Sequence, residues 1–171
     1  MYTWHSLFGC LVHTVTFAAA LTNFAIAGYN YYTLSHVKRD KLNPVSGAKD
    51  LNEYYIVEVS CVSAMILLPL TTGEFLAFVL GLPLGAFLYL RFHQKKHKID
   101  PTELYQYETR NELFRDGKLK LTLATVLFMA HFYYFIVNTA FPFVEFMIYE
   151  FMFGKVFGNL GRKIALGFKE D

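Results

Sequence analysis

The chain has 171 residues, of which 54% are apolar, with 18 Phe, 12 Tyr and 1 Trp, a net charge of +2 and only 18% charged residues. Soluble domains carry about 25% charged residues, and no Asp, Glu, Lys or Arg precedes Lys38 here. A soluble domain, a disordered tail and a disulfide scaffold are excluded, since the cysteines are only Cys10 and Cys61, both inside apolar runs.

Charge-free runs at 59–73, 75–90 and 121–144 follow the uncharged start. A bilayer-spanning helix needs about 20 mostly apolar residues, so the chain is read as all-α and polytopic, with four transmembrane helices. The start has no basic segment and no clear cleavage site, so it reads as a retained first span over 7–32. Ala18, Ala19, Ala20, Ala25, Ala27 and Gly28 there would admit another helix closely. The loop 33–53 holds Lys38, Arg39, Lys41 and Lys49, with a turn signal at Asn43-Pro44. Spans two (54–72) and three (75–92) are separated only by Gly73 and Glu74, which predicts a tight hairpin. Pro69 and Pro83 interrupt them, so full crossing of the bilayer is left open.

The loop 93–118 begins with the basic cluster HQKKHK and continues as a predicted helix. Asp100 is its N-cap, Pro101 its first residue and Gly117 its stop. Leu104, Tyr107 and Phe114 form an apolar stripe that would lay this helix on the membrane surface. The fourth span starts near Leu119. Its apolar run reaches Phe153, about 50 Å of helix against a hydrocarbon core of about 30 Å. Pro142 is expected to kink it, with the exit near Phe141. Residues 1–141 thus form a membrane domain, and 142–171 an aromatic-rich extension ending in an interfacial amphipathic helix with Lys155, Arg162 and Lys163 on its polar face.

Of the 16 Lys and Arg, all but Lys155, Arg162, Lys163 and Lys169 lie in or at the edges of the two loops. The positive-inside rule then puts both loops in the cytosol and both termini on the lumenal side.

At these loops the chain resembles the cornichon family. Asp40-Lys41-Leu42-Asn43-Pro44 is similar to its D-Y-x-N-P pattern, with Lys41 in place of Tyr. Asn52-Glu53-Tyr54 resembles the P-E-Y start of its second span, and Gly81-Leu82-Pro83-Leu84 its N-L-P-x segment. Asp100-Pro101-Thr102-Glu103-Leu104 resembles its D-x-T-E-I/L element, and Lys118-Leu119-Lys120-Leu121 with Phe132-Tyr133-Tyr134 its fourth span. The resemblance implies a cargo receptor of the endoplasmic reticulum and Golgi membranes. Such a protein would bind transmembrane clients and meet the COPII coat through a cytosolic segment, here Glu103, Leu104, Tyr105, Gln106 and Tyr107.

The remaining candidates are read from residue type. Lys95, Lys96 and Lys98, like the tail cations, suit lipid headgroups. His93 and His97 lack a third ligand for a metal. Mid-span His131 is read first as an interhelical hydrogen-bonding group, then as a client contact, and last as a group for proton or metal chemistry. Trp4 and Phe8 are an aromatic belt or a client-facing ridge, and Gly81 and Gly85 a close helix contact. The sequence offers no nucleophile–base pair, phosphate loop or metal cluster, so neither an enzyme nor a cofactor is expected, and no nucleic-acid partner. The alternative to a cargo receptor is a permanent accessory subunit of a larger membrane complex, such as an ion channel or a respiratory-type assembly, anchored by the extension.

Overall fold

Lipid tails form no hydrogen bonds, so a polar side chain within a span turns toward other helices or bonds its own backbone, as exposed Thr14 and Thr22 do at the Cys10 and Ala18 carbonyls. The computed structural model, which describes residues 4–96, 98–145, 147–148 and 151, follows this rule from its first helix onward. Helix α1 (Trp4–Lys38) buries His13, Thr16, Ala20, Asn23, Ala27, Asn30, Leu34 and Val37. These recur at alternating steps of three and four, which keeps them on one side of the helix. Leu7, Phe8, Leu11, Val15 and Leu21 face outward on the other.

The hairpin is formed by α3 (Tyr55–Thr72) and α4 (Phe75–His93). Gly73 closes α3 at φ 78°, with hydrogen bonds from the Gly73 and Glu74 N–H groups to the Leu70 and Pro69 carbonyls. That left-handed conformation is open to glycine at little cost. The two arms measure about 27–29 Å at 1.5 Å per residue, enough to cross a thin bilayer. The described residues hold four helices long and apolar enough to span: Leu7–Lys38, Pro44–Thr72, Phe75–His93 and Tyr107–Glu145. The expected all-α, four-span architecture is what the chain adopts.

Three expectations need correction. The first loop is not a bare turn. Asn43 Oδ1 accepts from the Val45 N–H at 2.9 Å and Pro44 occupies the first helical position, starting a ten-residue helix, α2 (Pro44–Glu53). The second loop does not stop at Gly117. Asp100 does cap a helix, but it is the short α5 (Pro101–Tyr105). The break falls at Gln106, extended at ψ 123°, and α6 (Tyr107–Phe135) then runs through Gly117 without interruption. Gly117 is buried because a Cβ there would meet Leu34 Cδ1 at 2.8 Å, so it marks a helix crossing instead of an end. Nor does the predicted stripe lie on a membrane surface. Leu104 and Leu113 pack with Leu34, Val37, Ala48 and Leu51 in a second core, with Phe114 against it, while Tyr107 points outward.

The first core lies within the spans: Ala20, Val62, Met65, Leu84, Leu88 and Leu127. Phe17 and Phe24 of α1 stack against Phe135 and Phe128 of α6 at 4.7 and 5.2 Å. The irregularity expected at Pro142 appears one turn earlier, as a π-helical segment over Ile136–Ala140, and residues 141–145 are α-helical again. Proline removes the donor that would serve the carbonyl four residues back, here that of Asn138. The amphipathic tail helix with Lys155, Arg162 and Lys163 lies outside the described residues, as do His97 and the side chain of Trp4.

Ile66 of α3 seats between Gly81 and Gly85 of α4, where an added Cβ would meet its Cγ1 and Cδ1 at 2.7 Å. Gly81→Leu is expected to lower stability by about 2 kcal/mol through overpacking, measured by thermal unfolding in mild detergent. Ile66→Ala in the same chain should recover much of it. Gly28, with nothing within 4 Å of an added Cβ, serves as the control and should tolerate Leu.

Candidate functional site

The polar residues collect at the two ends of the bundle. At the loop end, α2, α5 and the first half of α6 form a folded layer on the ends of α1, α3 and α4. Asn52 holds the chain ahead of α5 in a strand-like manner. Its amide donates to the Ile99 carbonyl and accepts from the Ile99 N–H, both at 2.9 Å. The Arg91 guanidinium, at the end of α4, reaches Asp116 Oδ2 at 3.2 Å and donates twice to the Lys96 carbonyl, at 3.3 and 3.1 Å. Lys96 itself pairs with Glu112 at 3.2 Å, so it belongs to this layer. Lys95 and Lys98 are exposed.

Below the layer, Lys120 of α6 pairs with Glu58 of α3 at 2.6 Å. Glu58 is only 2% exposed. Two charges taken out of water need each other: the pair gains little over an apolar one, but either charge alone is costly. Asn30 of α1 lines the same small cavity of about 60 Å³, together with Arg91 and Tyr55.

The two loop motifs meet in space. Asp40, Lys41, Leu42, Asn43 and Pro44 of the first loop and Leu104, Tyr105 and Arg110 of the second line one cleft of about 480 Å³. Arg110 crosses it to Asp40 Oδ1 at 3.1 Å. Asp40 sits at φ 56°, a left-handed position that Asp tolerates better than most residues. Asp100 accepts from the Thr102 hydroxyl and N–H at 2.7 and 2.8 Å, which holds its carboxyl below the usual range and fixes the start of α5.

Within the predicted segment, Leu104 is fully buried and anchors α5, whereas Tyr105, Gln106 and Tyr107 face solvent. Glu103 is half-buried. Glu53 is exposed, and Tyr54 leans edge-on against Tyr29 with ring centres 5.9 Å apart. Pro83 and Phe8 face outward.

The middle and far end are polar in a way the sequence shows less openly. His131 of α6 is 2% exposed; its Nδ1 lies 2.9 Å from the Leu127 carbonyl and its ring approaches the Met65 backbone. The Met65 carbonyl is the one that Pro69 leaves without its helical donor. Asn23, 1% exposed, has neither amide atom bonded to protein. At the turn end, Glu74 lies 3.4 Å from His13 and accepts from the Asn138 amide at 3.1 Å. The Cys10 thiol donates to the Asn138 carbonyl at 3.7 Å.

Reading the sequence missed His13, Glu74 and Asn52 as organising residues. A depth count would have found the first two. Along α3, α4 and α6, the step from Glu58, Arg91 and Lys120 to Glu74 and Asn138 is about 24–27 Å at 1.5 Å per residue. Two polar layers separated by one hydrocarbon thickness are thus written in the spacing.

The family model described as "Cornichon protein" matches residues 10–134. Among individual relatives, protein cornichon homolog 3 of Arabidopsis thaliana is 27% identical over 120 residues, 67% of this chain and 85% of that protein. The ER-derived vesicles protein erv14 of Schizosaccharomyces pombe is 24% identical over 131 residues, 77% of this chain and 94% of its own. Protein cornichon homolog 1 of rice is 26% identical over 103 residues, 58% of this chain and 76% of its own. No solved structure matches the chain.

Lys120→Met should cost about 3 kcal/mol, because it strands the Glu58 carboxylate. Combining it with Glu58→Gln should restore most of the loss. A double-mutant cycle of detergent unfolding would read a coupling near zero if the pair were hydrated and unimportant.

Proposed function

The chain belongs to the cornichon family, and on that premise we propose that it is a membrane cargo receptor. It gathers transmembrane clients in the endoplasmic reticulum and supports their export in COPII vesicles. One observation carries this reading. The residues resembling the family in two loops far apart in sequence line a single cleft, within a layer fastened by Asn52, Arg91 and Arg110. A loop that merely connects spans has no need of such fastening. The name of the fission-yeast relative, an ER-derived vesicles protein, supports the same compartment.

In this reading the layer faces the cytosol, as the Lys and Arg distribution favours, and both termini face the lumen. The coat meets the outward Tyr105, Gln106 and Tyr107, and buried Leu104 holds them in place. The spans face the client. The outward surface of α1, with Phe8, Leu11 and Val15, offers an apolar helix face of this kind.

A second reading, a permanent accessory subunit, draws on one feature. Phe141, Phe143, Val144, Met147, Ile148 and Phe151 are all exposed where the last span runs beyond the hairpin turn, which suits a fixed neighbour. Recovery from mild detergent separates the two readings. Many substoichiometric membrane proteins are expected for a receptor, one constant complex for a subunit.

Tyr105→Ala with Tyr107→Ala is expected to slow surface arrival of a co-purifying client severalfold, with client binding retained. Export at the normal rate would remove the coat assignment. Loss of client binding as well would place these tyrosines in the client interface instead.

A further inference from the structure

The turn that joins α3 to α4 carries a carboxyl group in an unusual position. Glu74 sits beside the exposed Gly73, yet its side chain is 12% exposed and turned inward. It meets two other elements there: His13 of α1 at 3.4 Å and Asn138 of the π-helical segment at 3.1 Å. Among the described residues, His13 is the basic side chain within 4 Å of it, and neither Lys nor Arg pairs with it. The other groups around it are Tyr134, on the same stretch of α6; His131, which acts on His13; and Cys10, which holds the far side of Asn138. Glu145, two turns beyond Asn138, is exposed.

We propose that Glu74 is a proton-sensitive latch, which closes the turn end of the bundle against α1 and the π-helical segment when neutral and loosens it when ionised. The geometry supplies the reason. Asn138 donates to the carboxyl, and His13 Nδ1, 3.4 Å away and without a hydrogen-bond partner of its own, is the acceptor a neutral carboxyl can serve with its proton, which joins the three elements without buried charge. The carboxylate has only a histidine and one amide to replace water, and desolvation works against it. The element it would release is also irregular, π-helical over Ile136–Ala140. A π-helical turn is a weak stretch of helix that recurs at functional sites, and the Asn138 carbonyl, without a donor at Pro142, rests on the weaker thiol contact.

Burial pushes the Glu74 carboxyl up to about 7 from an ordinary 4.5, while the Asn138 hydrogen bond pulls it down. The sign follows from linkage. A carboxyl whose closed-state value is raised favours closure at acid pH, and this advantage is lost as the pH rises from the open-state value toward the closed-state one. With those two values, the ratio of closed to open changes about fourfold between pH 6.2 and 7.2. If the turn end faces the lumen, as in the orientation proposed above, the latch tightens as the chain moves from a neutral to a more acidic compartment. The latch itself does not depend on that orientation or on cargo export.

The test is amide hydrogen exchange of full-length protein in nanodiscs, following the segment 70–80 in wild type and Glu74→Gln at pH 6.2 and 7.2. Glu74→Gln keeps the shape and the neutral state, and dividing by it removes the intrinsic pH dependence of exchange. The expected result is that the protection of the wild type relative to Glu74→Gln falls about fourfold between pH 6.2 and pH 7.2. Identical pH dependence in both proteins would overturn the proposal. A second measurement does not rely on the variant folding well: the infrared carbonyl band of protonated carboxyls in wild type should lose one component near pH 7, and its loss near 4.5 would overturn the proposal equally.

Discussion

The inability of lipid to accept a hydrogen bond governs this molecule. It shapes α1. The buried seam holds His13, Thr16, Asn23 and Asn30 with Ala20 and Ala27, and toward the loop end Leu34 and Val37, while Leu7, Phe8, Leu11 and Leu21 face outward. Small residues let α6 and α3 approach α1 closely, and aromatic pairs such as Phe17–Phe135 fill the flanks. The seam's hydroxyl Thr16 is satisfied within its own helix, at the His13 carbonyl, while His13 faces Glu74 of the hairpin turn.

The same constraint accounts for the company the prolines keep. Pro69 and Pro142 each free a carbonyl four residues earlier, a costly vacancy in hydrocarbon. His131 turns toward the first, at Met65, and Cys10 donates to the second, at Asn138. His131 Nε2 makes no hydrogen bond to protein there, whereas the Cys10 thiol does reach the Asn138 carbonyl at 3.7 Å, which ties α1 to the proline of the last span.

At the loop end water is available, and the chain uses charge differently. Arg91, Lys96 and Arg110 sit in pairs that fasten short helices over the span ends. Such pairs are worth little individually when exposed, but each links elements that are far apart in sequence. They orient the second core around Leu34, Val37 and Leu104, which supplies most of the layer's apolar burial. The family motifs lie at these fastening points, in the cap at Asn43-Pro44, the Arg110 partner Asp40 and the cap at Asp100.

By itself the sequence determined what depends on local composition and spacing. The charge-free runs set the four spans, Gly73-Glu74 set the hairpin, and Asp100-Pro101 set a helix start, because hydropathy and capping act over a few residues. It also carried six family-like motifs in register. Helix α2, the uninterrupted α6 and the burial of Leu104 were decided only by tertiary structure. Gly117 has the composition of a stop, but it lies where Leu34 needs room, and packing overrode propensity. The meeting of Glu58 with Lys120, of Asp40 with Arg110, and of His13 with Glu74 and Asn138 likewise joins residues on separate helices. No local pattern encodes such contacts, since they exist only once the bundle has set which faces of its helices touch.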